Sequence, residues 1–109
     1  MARRDYRKAQ LGGQALEPET LMLSYGFDPR LSEGSVKTPM FLTSTFAYST
    51  AEEGKNLFDY MSGRAAAPQG ADAGLIYTRF NNPNLQIVEE RLAVLERADA
   101  CAVFASGMA

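Results

Sequence analysis

Histidine is absent from this chain, and cysteine occurs once, at Cys101. These gaps exclude an internal disulfide, a histidine-dependent catalytic triad and the usual His/Cys zinc cluster. Positive charge is not in excess either: 11 Lys and Arg stand against 13 Asp and Glu, for a formal charge of −2. That balance argues against a nucleic-acid partner. Arg3, Arg4, Arg7 and Lys8 crowd into the first eight positions, so the remainder is more acidic than the whole. No run approaches the ~20 apolar residues of a membrane-spanning helix, and no apolar stretch follows the basic start as a secretory signal requires. A cytoplasmic chain without a membrane partner is expected, and a lone free thiol suits a reducing compartment. The first residues read as a solvated tail.

What is present is 109 residues, 46% hydrophobic and 22% charged, which fits one small domain or part of a larger one. Residues 1–48 are punctuated by Gly12, Gly13, Pro18, Gly26, Pro29, Gly34 and Pro39. They form an arm that no long helix or strand can cross. Within it, Glu19–Tyr25 suits two helical turns after Pro18, closed by Gly26. Met40–Tyr48, rich in aromatic and β-branched residues, suits an extended segment. Apolar but interrupted, the arm has little to fold against in its own chain and is expected to wrap another surface.

Residues 49–109 begin a domain. Ser49 with Glu52, or Thr50 with Glu53, makes a capping box ahead of a helix from Ala51 to Met61. Ala51, Gly54, Phe58 and Met61 share one face, with Leu57 beside them. Ser62–Gly74 is small and glycine-rich and reads as a surface loop. Asn82 and Pro83 suit the N-cap and first position of a helix running through Arg97. Its stripe is Leu85, Val88, Leu92 and Leu95, broadened by Ile87 and Val94. Cys101–Ala105 is a short apolar run of the kind buried in a parallel sheet, and it leads into Ser106-Gly107-Met108-Ala109. Cys101 reads there as a small hydrophobe. Neither that strand nor the apolar helix face finds a partner in the sequence. The expected fold class is therefore α/β, as the N-terminal part of a larger protein.

Two constellations carry chemistry. A buried strand turning through Ser-Gly into a helix aims free amides at an anion, here those of Gly107 and Met108, with the Ser106 hydroxyl as a further donor. Many such turns bind nothing. Tyr77 and Arg79, two apart in an extended segment, point to the same side, where a phenol and a guanidinium hold a phosphate. A surface arginine and a half-buried tyrosine ahead of a capped helix are the plainer alternative.

Tyr77-Thr78-Arg79 followed by Asn82-Pro83-Asn84, and then Ser106-Gly107-Met108-Ala109 after a helix of fitting length, resembles the signature of the trans-sulfuration enzymes. These form the Cys/Met metabolism family that depends on pyridoxal 5′-phosphate. The pattern Thr20, Gly26, Gly34, Pro39, Ser44-Thr45-Phe46 resembles that family's arm, so the resemblance runs from about Glu19 to the last residue. It implies a fold-type-I α/β transferase, with Ser106, Gly107 and Met108 on the cofactor phosphate. It also implies that Tyr77 and Arg79 reach the phosphate of a neighbouring subunit, in a homodimer or homotetramer with shared active sites. Tyr77 would take a supporting role near the reacting centre, where the family uses it to activate an amine.

The implied activity is γ-replacement or γ-elimination on a sulfur amino acid or activated homoserine, of cystathionine γ-synthase type. A carbon–sulfur lyase of methionine γ-lyase type is the alternative, and a non-catalytic interaction segment is a third reading. In the family a lysine holds the cofactor as a Schiff base. Lys8 in the tail, Lys37 in a proline-bounded arm and Lys55 on a polar helix face do not suit that part, so the chain alone is expected to be inactive. Asn84 in place of the usual Thr, the segment Met40-Phe41-Leu42 and the long Ser62–Gly74 loop depart from the family pattern and leave the substrate open.

Overall fold

The computed structural model describes residues 6–66 and 74–109. In chain order the elements are β1 (Gln10–Leu11), β2 (Gln14–Ala15), α1 (Pro18–Ser24), a 3-10 turn (Pro29–Ser32), α2 (Ala51–Met61) and α3 (Pro83–Glu96). They fall into two compact units, Met1–Met40 with Asn84–Ala109, and Phe41–Pro83.

In the first unit β1 and β2 pair antiparallel, Gln10 opposite Ala15 and Leu11 opposite Gln14. Gly12 and Gly13 turn the hairpin at φ 57° and 80°. Two successive positive φ values are what a two-residue hairpin loop of matching twist demands, and glycine meets them without strain. In sequence the pair reads only as an interruption. α1 starts at Pro18, whose missing amide costs nothing there, with Glu19 in the first turn. It ends one residue earlier than expected, the Tyr25 amide donating to the Leu21 carbonyl at 2.9 Å. Gly26 follows at φ 80°, its amide donating to the Tyr6 carbonyl at 2.9 Å.

The expectation that the arm lacks a surface in its own chain is corrected here. The Arg7 guanidinium grips the Glu90 carboxylate of α3, with its shortest contact at 2.8 Å. The Arg91 guanidinium donates to the carbonyls of Tyr25, at 3.0 Å, and Leu23, at 3.3 Å. These oxygens belong to the end of α1, where helical carbonyls lack intrahelical partners and attract a cation. Burial lowers the pKa of Arg91 from its ordinary value. The Asn84 amide donates to the Pro39 carbonyl at 2.7 Å. Leu21 and Phe27 are buried. Polar side chains of α3 anchor the arm, and apolar periodicity does not register such contacts. The stripe that periodicity does register, Leu85, Val88, Leu92 and Leu95, stays 38–45% exposed.

The expected strand over Cys101–Ala105 does not form. Residues 101–104 lack regular structure, and a turn follows. A strand exists only by hydrogen bonding to a neighbour, and among the described residues the only sheet is β1–β2. The Val103 amide donates instead to Glu89 Oε1 at 3.1 Å, while Phe104 stays exposed and Cys101 half-buried. α3 reaches Glu96, and Arg97, at φ 53°, supplies the left-handed residue that ends it.

In the second unit α2 has the expected bounds. Its start uses the Thr50 frame: the Thr50 hydroxyl accepts from the Glu53 amide at 3.1 Å. The Glu53 carboxylate accepts from the Ser49 amide at 2.7 Å, one residue earlier than a standard capping box. The buried face is narrower than expected. Gly54 and Leu57 are covered, whereas Phe58 and Met61 are exposed. Gly54 is covered because the Tyr48 ring lies where a Cβ would be, 2.9 Å from that position. From Met40–Tyr48 only Thr45 joins a β-bridge, antiparallel to Tyr77. The expected loop Ser62–Gly74 includes residues 67–73, which lie outside the described residues.

Two predictions follow from the first unit's packing. Gly26→Ala places a Cβ 2.5 Å from Glu90 Oε2 in a left-handed backbone, so denaturant titration should show a loss of about 1–2 kcal/mol. Hydrogen bonding from the Arg30 guanidinium holds the carboxyl of Asp28 below its ordinary pKa, and the Arg30 amide donates to the same group. A lowered carboxylate pKa stabilises the fold above the unfolded value, near 4, and that contribution fades as pH falls through the folded value. Asp28→Ala should therefore lower the melting temperature at pH 7, and the difference should shrink on acidification below pH ~4.

Candidate functional site

Tyr77 and Arg79 do converge, but by a turn and not by the alternation of an extended segment. The amides of Phe80 and Asn81 both donate to the Tyr77 carbonyl, at 2.8 and 2.9 Å. This winds residues 77–80 into a single turn immediately before α3. The turn brings the Arg79 guanidinium carbon to 5.5 Å from the Tyr77 ring centre and 5.3 Å from that of Phe80. Two ring faces hold the cation in place without neutralising it. Arg79 and Tyr77 are both exposed, and among the described residues Arg79 forms no ion pair with a carboxylate. A guanidinium so placed is available to an anion, with a phenol hydroxyl as its neighbour.

Backbone and buried amides hold the turn from the other side. The Thr78 amide donates to the Ser44 carbonyl at 2.9 Å, and its hydroxyl donates to the Thr43 carbonyl. The Asn82 side-chain amide, 4% exposed, donates to the Phe41 carbonyl and to Thr78 Oγ1, both at 3.2 Å. Asn81, 7% exposed, accepts from the Ile76 amide at 2.9 Å and donates to the Gly74 carbonyl at 3.0 Å. In sequence Asn82 reads as the helix start and as part of the Asn82-Pro83-Asn84 motif, and Asn81 carries no role of its own. The signal available was a second Asn directly ahead of an Asn-Pro pair, where one suffices to begin a helix.

Ser106, Gly107 and Met108 belong to the other unit. They lie in a turn in which the Ala109 amide donates to the Ser106 carbonyl and to Ser106 Oγ, both at 3.3 Å. All three residues are exposed. A Cβ built on Gly107 meets nothing within 4 Å, and among the described residues neither the Gly107 nor the Met108 amide donates a hydrogen bond. Two successive amides without acceptors, next to a hydroxyl, suit a phosphate. No group of three or more Cys, Asp or Glu among the described residues is arranged to hold a metal ion. No described helix is long and apolar enough to cross a membrane.

Comparison with known proteins gives this geometry a context. The sequence profile of the family described as Cys/Met metabolism PLP-dependent enzyme matches residues 19–109. An L-methionine gamma-lyase of Pseudomonas deceptionensis is 36% identical over 89 residues, which is 82% of this chain and 20% of that protein. The L-methionine gamma-lyase of Porphyromonas gingivalis is 45% identical over 75 residues, 69% of this chain and 16% of the relative. The O-acetyl-L-homoserine sulfhydrylase 1 of Thermus thermophilus is 33% identical over 91 residues, 84% and 19% of the two chains. The chain spans about a fifth of the length of these relatives.

Proposed function

This chain belongs to the Cys/Met metabolism family of pyridoxal-phosphate-dependent enzymes, and we propose that it is the part of such an enzyme that grips the cofactor phosphate. The observation that carries the proposal is the turn at residues 77–80. It presents a charged guanidinium, steadied by two rings and facing no carboxylate among the described residues, beside a phenol. The residues fit a phosphate: Arg79 supplies charge, and the Tyr77 hydroxyl, the Ser106 hydroxyl and the Gly107 and Met108 amides supply donors.

In the proposed assembly of two or more identical subunits, one protomer contributes Tyr77 and Arg79 while its partner contributes the turn at residues 106–108. The fold of the parent enzyme is then the fold-type-I α/β class, in which residues 101–105 gain strand neighbours from sequence beyond this chain. The cofactor, when bound, supplies an electron sink for carbanions at the α and β carbons of the substrate. Arg79 and Tyr77 fix its dianionic end and so set the direction in which the ring faces the amino acid. Tyr77 also lends its hydroxyl near the reacting amine.

The anchoring lysine of the parent lies outside these residues. Lys8 and Lys37 are exposed in the arm, and Lys55 is exposed and paired with Asp59 at 2.9 Å. We place the parent in the cytoplasm, as a metabolic enzyme acting on small amino acids. Between the two activities the sequence suggests, relatives named methionine gamma-lyase favour the carbon–sulfur lyase over the cystathionine γ-synthase type.

Two measurements test this reading on the parent enzyme. Arg79→Ala removes a charge-assisted contact and should raise the dissociation constant of pyridoxal phosphate about 10- to 100-fold, read by absorbance titration of the apoenzyme. Unchanged retention refutes the phosphate role. Supplied with L-methionine alone, the holoenzyme should release a thiol. If thiol chemistry appears only when an activated homoserine and a sulfur nucleophile are supplied together, the activity is replacement, and the lyase assignment is wrong.

A further inference from the structure

We infer that Asn81 is a positioning residue for the phosphate grip: its buried side-chain amide sets the direction in which Tyr77 and Arg79 are presented. The inference rests on the phosphate reading above and extends it to a residue that touches no ligand.

Three observations carry it. Asn81 is 7% exposed although it is polar, and both ends of its amide are used on main chain. Its oxygen accepts from the Ile76 amide at 2.9 Å, and its nitrogen donates to the Gly74 carbonyl at 3.0 Å. The side-chain amide thus serves one N–H and one C=O, two residues apart, as the C=O and N–H of one residue in a neighbouring strand would, and among the described residues the segment 74–76 belongs to no sheet. Second, Ile76 is buried and is joined covalently to Tyr77, so fixing its amide fixes the entry of the chain into the turn. Third, the Asn81 main-chain N–H closes the same turn from its exit, donating to the Tyr77 carbonyl at 2.9 Å. One residue therefore clamps the turn at both ends, and Tyr77 and Arg79 lie between the clamps.

The energetics favour such a role. Buried main-chain groups left without partners are costly, so removing the Asn81 side chain forces Gly74 and Ile76 to find water or new partners. The segment shifts, and Tyr77 and Arg79 shift with it. Asn82 does not duplicate this. Its amide reaches Phe41 and Thr78, on the side of the turn facing residues 41–45. Thr78 and Asn82 hold the turn down, and Asn81 sets its angle.

The test compares pyridoxal phosphate with pyridoxal, which lacks the phosphate, on the apo parent enzyme carrying Asn81→Ala, Arg79→Ala or both. Binding is read by absorbance titration. Asn81→Ala should weaken pyridoxal phosphate about tenfold and leave pyridoxal within about twofold, because only the phosphate contacts are misdirected. On the Arg79→Ala background the same change should add less than about threefold, since the charge-assisted Arg79 contact carries most of what Asn81 directs and only the neutral Tyr77 contact is left to misdirect. Equal weakening of both compounds, or the full effect persisting without Arg79, overturns the inference and leaves the phosphate reading standing. If Arg79→Ala itself fails to separate the two compounds, the phosphate reading falls and this inference falls with it. Should Asn81→Ala not fold, Asn81→Ser, with one hydroxyl for a two-armed amide, takes its place under the same criteria.

Discussion

A single-turn loop that must hold a cation still without cancelling its charge is the constraint from which the rest of this structure follows. A carboxylate beside Arg79 would fix the side chain but also satisfy it. Here two aromatic rings do the fixing, at 5.3 and 5.5 Å, and the charge stays available. The rings work only if the backbone beneath them is fixed, and that task falls to buried amides and one threonine. Asn81, Asn82 and Thr78 are hydrogen-bonded almost entirely to main chain. Polar burial of this kind is the unusual feature of this unit, where the buried apolar side chains among the described residues are Leu57 and Ile76.

The other unit shows a different division of labour. Its arm is held to α3 by charged and amide groups: Arg7 on Glu90, Arg91 on the end of α1, and Asn84 on Pro39. The apolar stripe of α3 is left about four-tenths exposed, and beyond it Phe104 and Met108 are exposed further, at 63% and 99%. No large side chain among the described residues is fully buried. The segment fixes its arm with polar contacts and leaves its apolar surface open, and it spans a small share of the relatives' length.

Much of this was legible in the sequence. The bounds of α2 and the start of α3 follow from local chemistry, Thr50 with Glu53 in one case and Pro83 in the other, and local signals survive whatever the tertiary context. The family was legible because two short motifs occur in the right order. What was not legible depends on partners. Residues 101–105 have the composition of a strand, but a strand is a property of pairs. Tyr77 and Arg79 converge through a turn closed by the Phe80 and Asn81 main-chain N–H groups, not through the alternation of an extended chain. A buried amide with two main-chain partners, as at Asn81, looks in sequence like any polar loop residue.

The most direct test is a crystal structure of the parent enzyme with pyridoxal phosphate bound, read at the phosphate oxygens. The account predicts the Arg79 guanidinium and the Tyr77 hydroxyl of one subunit at ~3 Å from those oxygens, with the Gly107 and Met108 amides of the partner subunit on the same phosphate. A phosphate whose oxygens contact neither the Tyr77–Arg79 turn nor residues 106–108 would contradict it.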